Sequence, residues 1–267
     1  VDTLKKAALV NSIPWLPTSE LKHDEAYQRF AGWKPDLGVM AFVTDILSKK
    51  LLAVPRLGTI QYHPSLLPRH RGASAINWAI AMGETTTGLT IFWPDSGIDT
   101  GPVLLQKQVE IAPDDTLGTL YFNKLFPLGV EALMESVELV EQDRSPRIPQ
   151  DESQATYDPI FISGHAAVNW SKKAQQVYDL VRGADPQPGA ATTYRGERME
   201  IFDCKLIPGA TSSKPGEVLV ASDQGLEIAL VGGALLVKRL RAAGSAKVSA
   251  ADFIRSSGIK PGDTFGS

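Results

Sequence analysis

Gly58-Thr59-Ile60-Gln61-Tyr62-His63-Pro64 is the stretch from which the fold is read. Residues 58–62 form a short apolar strand, and His63 follows it into a loop bounded by Pro64 and Pro68, where the chain loses backbone donors and leaves the sheet. Upstream, residues 36–43 read as a strand buried on both faces and residues 45–53 as a helix stopped before Pro55. Downstream, residues 73–82 read as a helix ended by Gly83, residues 88–93 as a strand and residues 103–111 as another with partial alternation. Short apolar runs alternating with amphipathic stretches predict an α/β domain, a parallel sheet covered by helices.

Working outward, Asp115-Thr116 opens the longest helix. Its apolar positions Leu117, Leu120, Tyr121, Leu125 and Phe126 keep the helical period until Pro127 perturbs it, and the pattern resumes through Val130, Leu133, Met134, Val137 and Val140. Between residues 142 and 163 the chain turns polar and proline-rich (Pro146, Pro149, Pro159), the composition of a linker, with a boundary near residue 155. A helix over 171–182 with Ser171 as N-cap comes next. Five short runs follow, 190–194, 199–206, 217–221, 226–230 and 234–240, and then a helix from 249 or 250 to 256 ending at Gly258. Short strands at this spacing predict a small barrel. The expected division is residues 1–150, a linker over 151–162, and residues 163–267.

At 267 residues and 43% hydrophobic, the chain can bury a sizeable core. Its apolar runs fall short of the roughly 20 residues that cross a bilayer, and no export signal opens it, so no membrane partner and a cytoplasmic location are expected. Cys204 is the only cysteine, which excludes an internal disulfide and a thiolate cluster made by this chain, and suits a small core residue. The net charge of −3 gives no general attraction for nucleic acid. It is unevenly spread: residues 1–150 hold 14 Lys or Arg against 17 Asp or Glu, and residues 159–267 hold 13 against 10, so the C-terminal part is the better candidate for a polyanion. The chain also opens on a helix, residues 3–10, where a doubly wound domain begins with a strand. A truncated chain or a small sheet is expected, and a strand-helix-strand unit before Val1 is the fuller expectation.

Two residues stand where open α/β sheets bind ligands. His63 sits at the end of its strand. Asp99 lies in Asp95-Ser96-Gly97-Ile98-Asp99-Thr100-Gly101, where Gly97 and Gly101 permit tight turns close to a ligand. Alternative readings are a structural histidine and an Asx-turn aspartate. His63 and His70 have no zinc spacing, so no metal is expected.

The run from Gly58 through His63-Pro64-Ser65-Leu66-Leu67-Pro68 to Ala73, with the loop 95–101 downstream, resembles the signature of the 10-formyltetrahydrofolate-dependent formyltransferases. Asn169-Trp170, Val181-Arg182, Pro188-Gly189-Ala190 and residues 249–253 are similar to that family's C-terminal domain, so the resemblance covers nearly the whole chain. It implies a Rossmann-like catalytic domain, here without its first strand-helix-strand unit, followed by an OB-like β-barrel. The co-substrate implied is 10-formyltetrahydrofolate.

In the roles the resemblance implies, His63 stabilises the tetrahedral oxyanion and Asp99 orients His63 and relays a proton. Gln61 stands where the family has Asn, with the same amide one methylene further out. The pterin is expected against Met40, Ala41, Phe42 and Val43 and against Trp93, Pro94, Asp95 and Ile98; Phe42 and Trp93 equally suit a core. Arg69, His70 and Arg71 suit a glutamate tail, a tRNA phosphate or a solvated turn, and Lys238, Arg239 and Arg241 suit tRNA or an exposed strand end. The partners expected are a reduced folate and initiator methionyl-tRNA, with the chain a monomer. Water, releasing formate and tetrahydrofolate, is the second acceptor and a sugar-nucleotide amine the third; an inactive folate-binding module is the reading from another class.

Overall fold

The computed structural model describes residues 3–41, 43, 47–209 and 212–266, omitting the side chains of Thr18 and Lys22. Its elements in chain order are α1 (Thr3–Val10), α2 (Asp24–Gly32), β1 (Gly38–Met40), α3 (Lys49–Leu52), β2 (Thr59–His63), α4 (Ala75–Ala81), β3 (Thr86–Phe92) and β4 (Val103–Glu110). Then come α5 (Leu117–Leu120), α6 (Phe126–Glu141), α7 (Ala174–Ala184), β5 (Ala190–Tyr194), β6 (Glu197–Pro208), β7 (Val218–Ser222), β8 (Gly225–Leu230), β9 (Gly233–Ala242), β10 (Val248–Ser249) and α8 (Ala250–Ser257). The protein is thus α/β with a C-terminal β domain, as read from the sequence. By contacts the chain falls into two compact units, Val1–His63 with Ile91–Leu105 and Leu133–Gln150, and Pro64–Thr90 with Gln106–Ala132 and Asp151–Ser267.

In the first sheet the strand order is β1-β2-β3-β4. β1 and β2 are parallel, with Met40 opposite Gln61. His63 is the last residue of β2 rather than the first of the loop. β1 is shorter than expected, and Val39 is 44% exposed, so the strand is not buried on both faces. α3 begins at Lys49 because the Ser48 hydroxyl caps it, accepting from Leu51 N; Asp45, where the sequence places the start, lies outside the described residues.

The long helix is three pieces. Thr116 and Thr119 form a capping box that starts α5, and a π turn over Tyr121–Leu125 then leads into α6. The widened turn comes just before Pro127, whose ring would clash with a carbonyl one regular turn back. α7 begins at Ala174, not after Ser171. Ser171 N–H is taken by the Asn169 side chain, and Lys173 is drawn into a bridge with Val231, so the helix starts only when those bonds are made.

The second sheet is antiparallel, in the order β5-β6-β9-β8-β7 with β10 on β9; the two-residue β10 is too short to be read from sequence. Ile201, Leu226, Ile228, Leu235, Val237 and Leu240 are fully buried in its core, joined by Cys204 and by Val177, Tyr178 and Val181 of α7. The ends of the order are joined by the tail: Tyr194 of β5 bridges Phe265, and Glu217 beside β7 bridges Thr264. Phe265 is 3% exposed, its ring 5.3 Å from Tyr194 and 6.0 Å from Trp170. The sheet is a barrel because these few residues close it.

The stretch 151–162 is aperiodic but tied down. Thr156 N–H donates to Pro68 O, Arg71 N–H to Thr156 O and Asp158 N–H to Arg71 O, while Trp78 Nε1 donates to Pro159 O and Phe161 N–H to the Ser74 hydroxyl. Since Phe265 both fills the core and carries the closing bridge, Phe265→Ala is expected to cost about 3–5 kcal/mol. The urea midpoint of the full chain measures it; a loss under about 1 kcal/mol would mean that the tail does not close the barrel.

Candidate active site

His63 and Asp99 lie within one compact unit. Pro64 ends β2, leaving the imidazole at the strand's tip; His63 is 4% exposed and Asp99 9%. His63 Nδ1 stands 3.5 Å from Asp99 Oδ2, within ion-pair reach and slightly beyond the usual ~2.7–3.2 Å for an N–H···O bond. Gln61 shares a face of β2 with His63, because alternate residues of a strand point the same way, and is half-buried.

The loop after β3 is built by its own side chains. Asp95 Oδ1 accepts from Gly97 N–H at 2.9 Å and from the Thr100 hydroxyl at 2.6 Å. Asp95 thus makes an Asx turn in this loop. Trp93 N–H donates to Pro102 O, which draws the loop's two ends together. Asp99 has φ +56°, and its carbonyl and that of Gly101 both accept from Gln150 Nε2.

The residues predicted to meet a cofactor scatter. Met40 is buried at the end of β1, Ala41 is exposed, Val43 is half-buried, and Phe42 lies outside the described residues. Trp93, Pro94 and Asp95 line a cleft of about 290 Å³ with Leu52, Thr59 and Arg147. His63, Asp99, Gln61, Met40, Ala41, Val43 and Ile98 are not among its walls, and Ile98 is 57% exposed. Trp93 is also a core residue: it is 4% exposed, its Nε1 donates to Pro146 O, and the Arg147 guanidinium lies 3.7 Å from its ring centroid. Arg147 and Gln150 escaped the sequence reading because they sit in the polar, proline-rich stretch.

In the other unit, the basic run 69–71 is committed to carboxylates. Arg69 pairs with Glu84, and His70 lies between Asp158 (2.6 Å) and Glu84 (3.1 Å). Arg71, fully buried, donates two parallel hydrogen bonds to the Glu152 carboxylate and a third to the Tyr157 hydroxyl. His70 and Arg71 are therefore buried, whereas Arg69 remains exposed. On the barrel, Arg241 is held by Glu200 and the Pro188 carbonyl, while Arg239 is exposed. Lys247, which the sequence reading passed over, lies 3.5 Å from the Phe202 ring; burial lowers its ammonium pKa, and Arg239 and Arg241 push the same way against Asp185. No helix among the described residues is long and apolar enough to cross a membrane.

Two family models match the chain, Formyl transferase over residues 4–137 and Formyl transferase, C-terminal domain over residues 163–258. A methionyl-tRNA formyltransferase of Syntrophus aciditrophicus is 35% identical over 263 residues, 98% of this chain and 84% of that protein. The human mitochondrial 10-formyltetrahydrofolate dehydrogenase is 41% identical over 195 residues, 73% of this chain but 21% of that protein. Among solved structures, HypX from Aquifex aeolicus in complex with tetrahydrofolic acid is similar at a TM-score of 0.73 and 25% identity. The likeness covers 87% of this chain and less than half, 41%, of that one.

A β-carbon on Gly101 would stand 1.8 Å from the Trp93 carbonyl oxygen, backbone against backbone. Gly101→Ala is therefore expected to push the two ends of the loop apart and to destabilise the chain by more than about 2 kcal/mol. Thermal unfolding checks this; an unchanged transition would contradict the close approach.

Proposed function

The chain belongs to the formyl transferase family, and from that premise we propose that it carries a formyl group from 10-formyltetrahydrofolate to the amine of initiator methionyl-tRNA. The observation that carries this reading is the buried His63–Asp99 pair at 3.5 Å. Likeness to a methionyl-tRNA formyltransferase along nearly the whole chain supports the acceptor, and likeness to a structure holding tetrahydrofolic acid supports the donor.

The acceptor nitrogen attacks the formyl carbon, a C–N bond forms, and the carbonyl oxygen takes up negative charge. His63 donates an N–H to that oxygen, an interaction stronger in the transition state than in the substrate. Asp99 holds the imidazole in place and takes the proton released by the amine. That proton reaches N10 as the old C–N bond breaks and tetrahydrofolate leaves. Gln61, on the same face, offers its side-chain amide as a second donor. The cleft beside Trp93, Pro94 and Asp95 takes the pterin, with the Arg147 guanidinium, stacked on the Trp93 ring, offering a flat face to it.

A second reading, with water as acceptor, is favoured by the 41% identity to a 10-formyltetrahydrofolate dehydrogenase. Single-turnover deformylation with and without charged tRNA separates the two, since a hydrolase needs no tRNA.

His63→Ala is expected to slow turnover about 100-fold or more with folate affinity nearly unchanged. A wild-type rate would remove His63 from the chemistry. If tRNA is the acceptor, replacing Arg239 and Lys247 by Gln should weaken tRNA binding and reduce its salt slope by about 2, leaving folate binding alone. Unchanged tRNA affinity would favour water.

A further inference from the structure

Asp99 is not glycine, yet its backbone is left-handed. That conformation costs an L-residue about 1 kcal/mol or more and persists only where the surroundings impose it. One source of that imposition comes from a distant part of the chain. Gln150 places its side-chain amide against the loop, Nε2 donating to Asp99 O at 2.8 Å and to Gly101 O at 2.7 Å. A carboxamide has two N–H groups, and this one gives a hydrogen to each carbonyl, clamping the backbone on both sides of Thr100.

Gln150 is itself held in place. Two residues before it, Ile148 exchanges both backbone hydrogen bonds with Val103, at 2.7 and 2.9 Å, two residues after Gly101. The segment 148–150 therefore runs beside 101–103 as a short strap, and the amide reaches the loop from a fixed base. Both of these bonds end on backbone carbonyls of the loop. The Asp99 carboxylate remains directed at His63 Nδ1.

From this we propose that Gln150 is a positioning residue: by holding the left-handed backbone at Asp99, it keeps the carboxylate on His63. The proposal rests on the reading of Asp99 as the partner of His63 in catalysis. Without the clamp, residue 99 can relax toward the ordinary α or β region, which swings its side chain away from the imidazole. A displacement of about 1 Å at a catalytic group is enough to lower a rate on the order of 100-fold.

The test uses the full chain and two substitutions. Gln150→Met keeps length and removes both donors; Gln150→Glu keeps shape and replaces donors by acceptors. Both are expected to lower turnover of 10-formyltetrahydrofolate about 10- to 100-fold with KM nearly unchanged. In the Asp99→Asn background the same substitutions should cost less than about 2-fold more, because both changes act through one carboxylate.

A readout independent of turnover is the ring-nitrogen NMR signal of His63, assigned by its loss in His63→Ala. It should move in each Gln150 variant toward its position in Asp99→Asn. Losses that multiply in the double variants, or a His63 signal that stays put, would make Gln150 a structural residue and overturn the proposal. Full activity in Asp99→Asn would sink the reading of Asp99 itself. Full activity in both Gln150 variants beside an inactive Asp99→Asn would sink only the clamp.

Discussion

The approach of Gly101 to the carbonyl of Trp93 leaves no room for a side chain, and the arrangement of the candidate site follows from that contact. It closes the loop between β3 and β4 to a narrow neck, sealed by the hydrogen bond from Trp93 N–H to Pro102 O. A neck that tight forces the intervening residues to turn sharply, and Asp99 takes the left-handed conformation that the turn needs. Trp93 can serve as the abutment because its own ring is immobilised, packed on Gly58, covered by Arg147 and hydrogen-bonded to Pro146. Rigidity is thereby passed from the core aromatic to the neck and from the neck to the carboxylate.

The parts of this arrangement that the sequence announces are those specified locally. Pro64 and Pro68 mark the end of β2, and Gly97 and Gly101 mark a tight loop, so the positions of His63 and Asp99 at strand ends are legible in the sequence itself. What is not visible depends on partners far along the chain. Gln150 sits in a polar stretch with no period, and its partners are backbone carbonyls about fifty residues earlier. The run Arg69-His70-Arg71 advertises positive charge, but Glu152, Tyr157 and Asp158, which engage it, lie more than eighty residues away. The late start of α7 depends on Val231, and the splitting of the long helix depends on how a proline is absorbed by a π turn.

The tie between residues 68–78 and 151–162 shows how a polar, proline-rich segment can be well ordered. Arg71 is fully buried, whereas the Glu152 side chain that pairs with it is 66% exposed. Such a pair is asymmetric. Losing the carboxylate would leave a guanidinium charge in a buried place, while losing the arginine would release a carboxylate to water. The composition of the segment signals a linker, but its hydrogen bonds make it a fitted strap.

The closure of the C-terminal barrel by residues 264 and 265 has a consequence for how the protein is made. During synthesis β5 leaves the ribosome early and must wait through the emergence of β6 to β9 before the tail that joins it to β7 appears. Until then the edge at β7 is open, the edge at β5 is covered only where Ala167 bridges Ala191, and the apolar interior is unsealed, which is the kind of surface that chaperones hold and that neighbouring chains can pair with. Pauses in elongation along residues 243–263 would lengthen that exposed interval, and fast passage through them would shorten it.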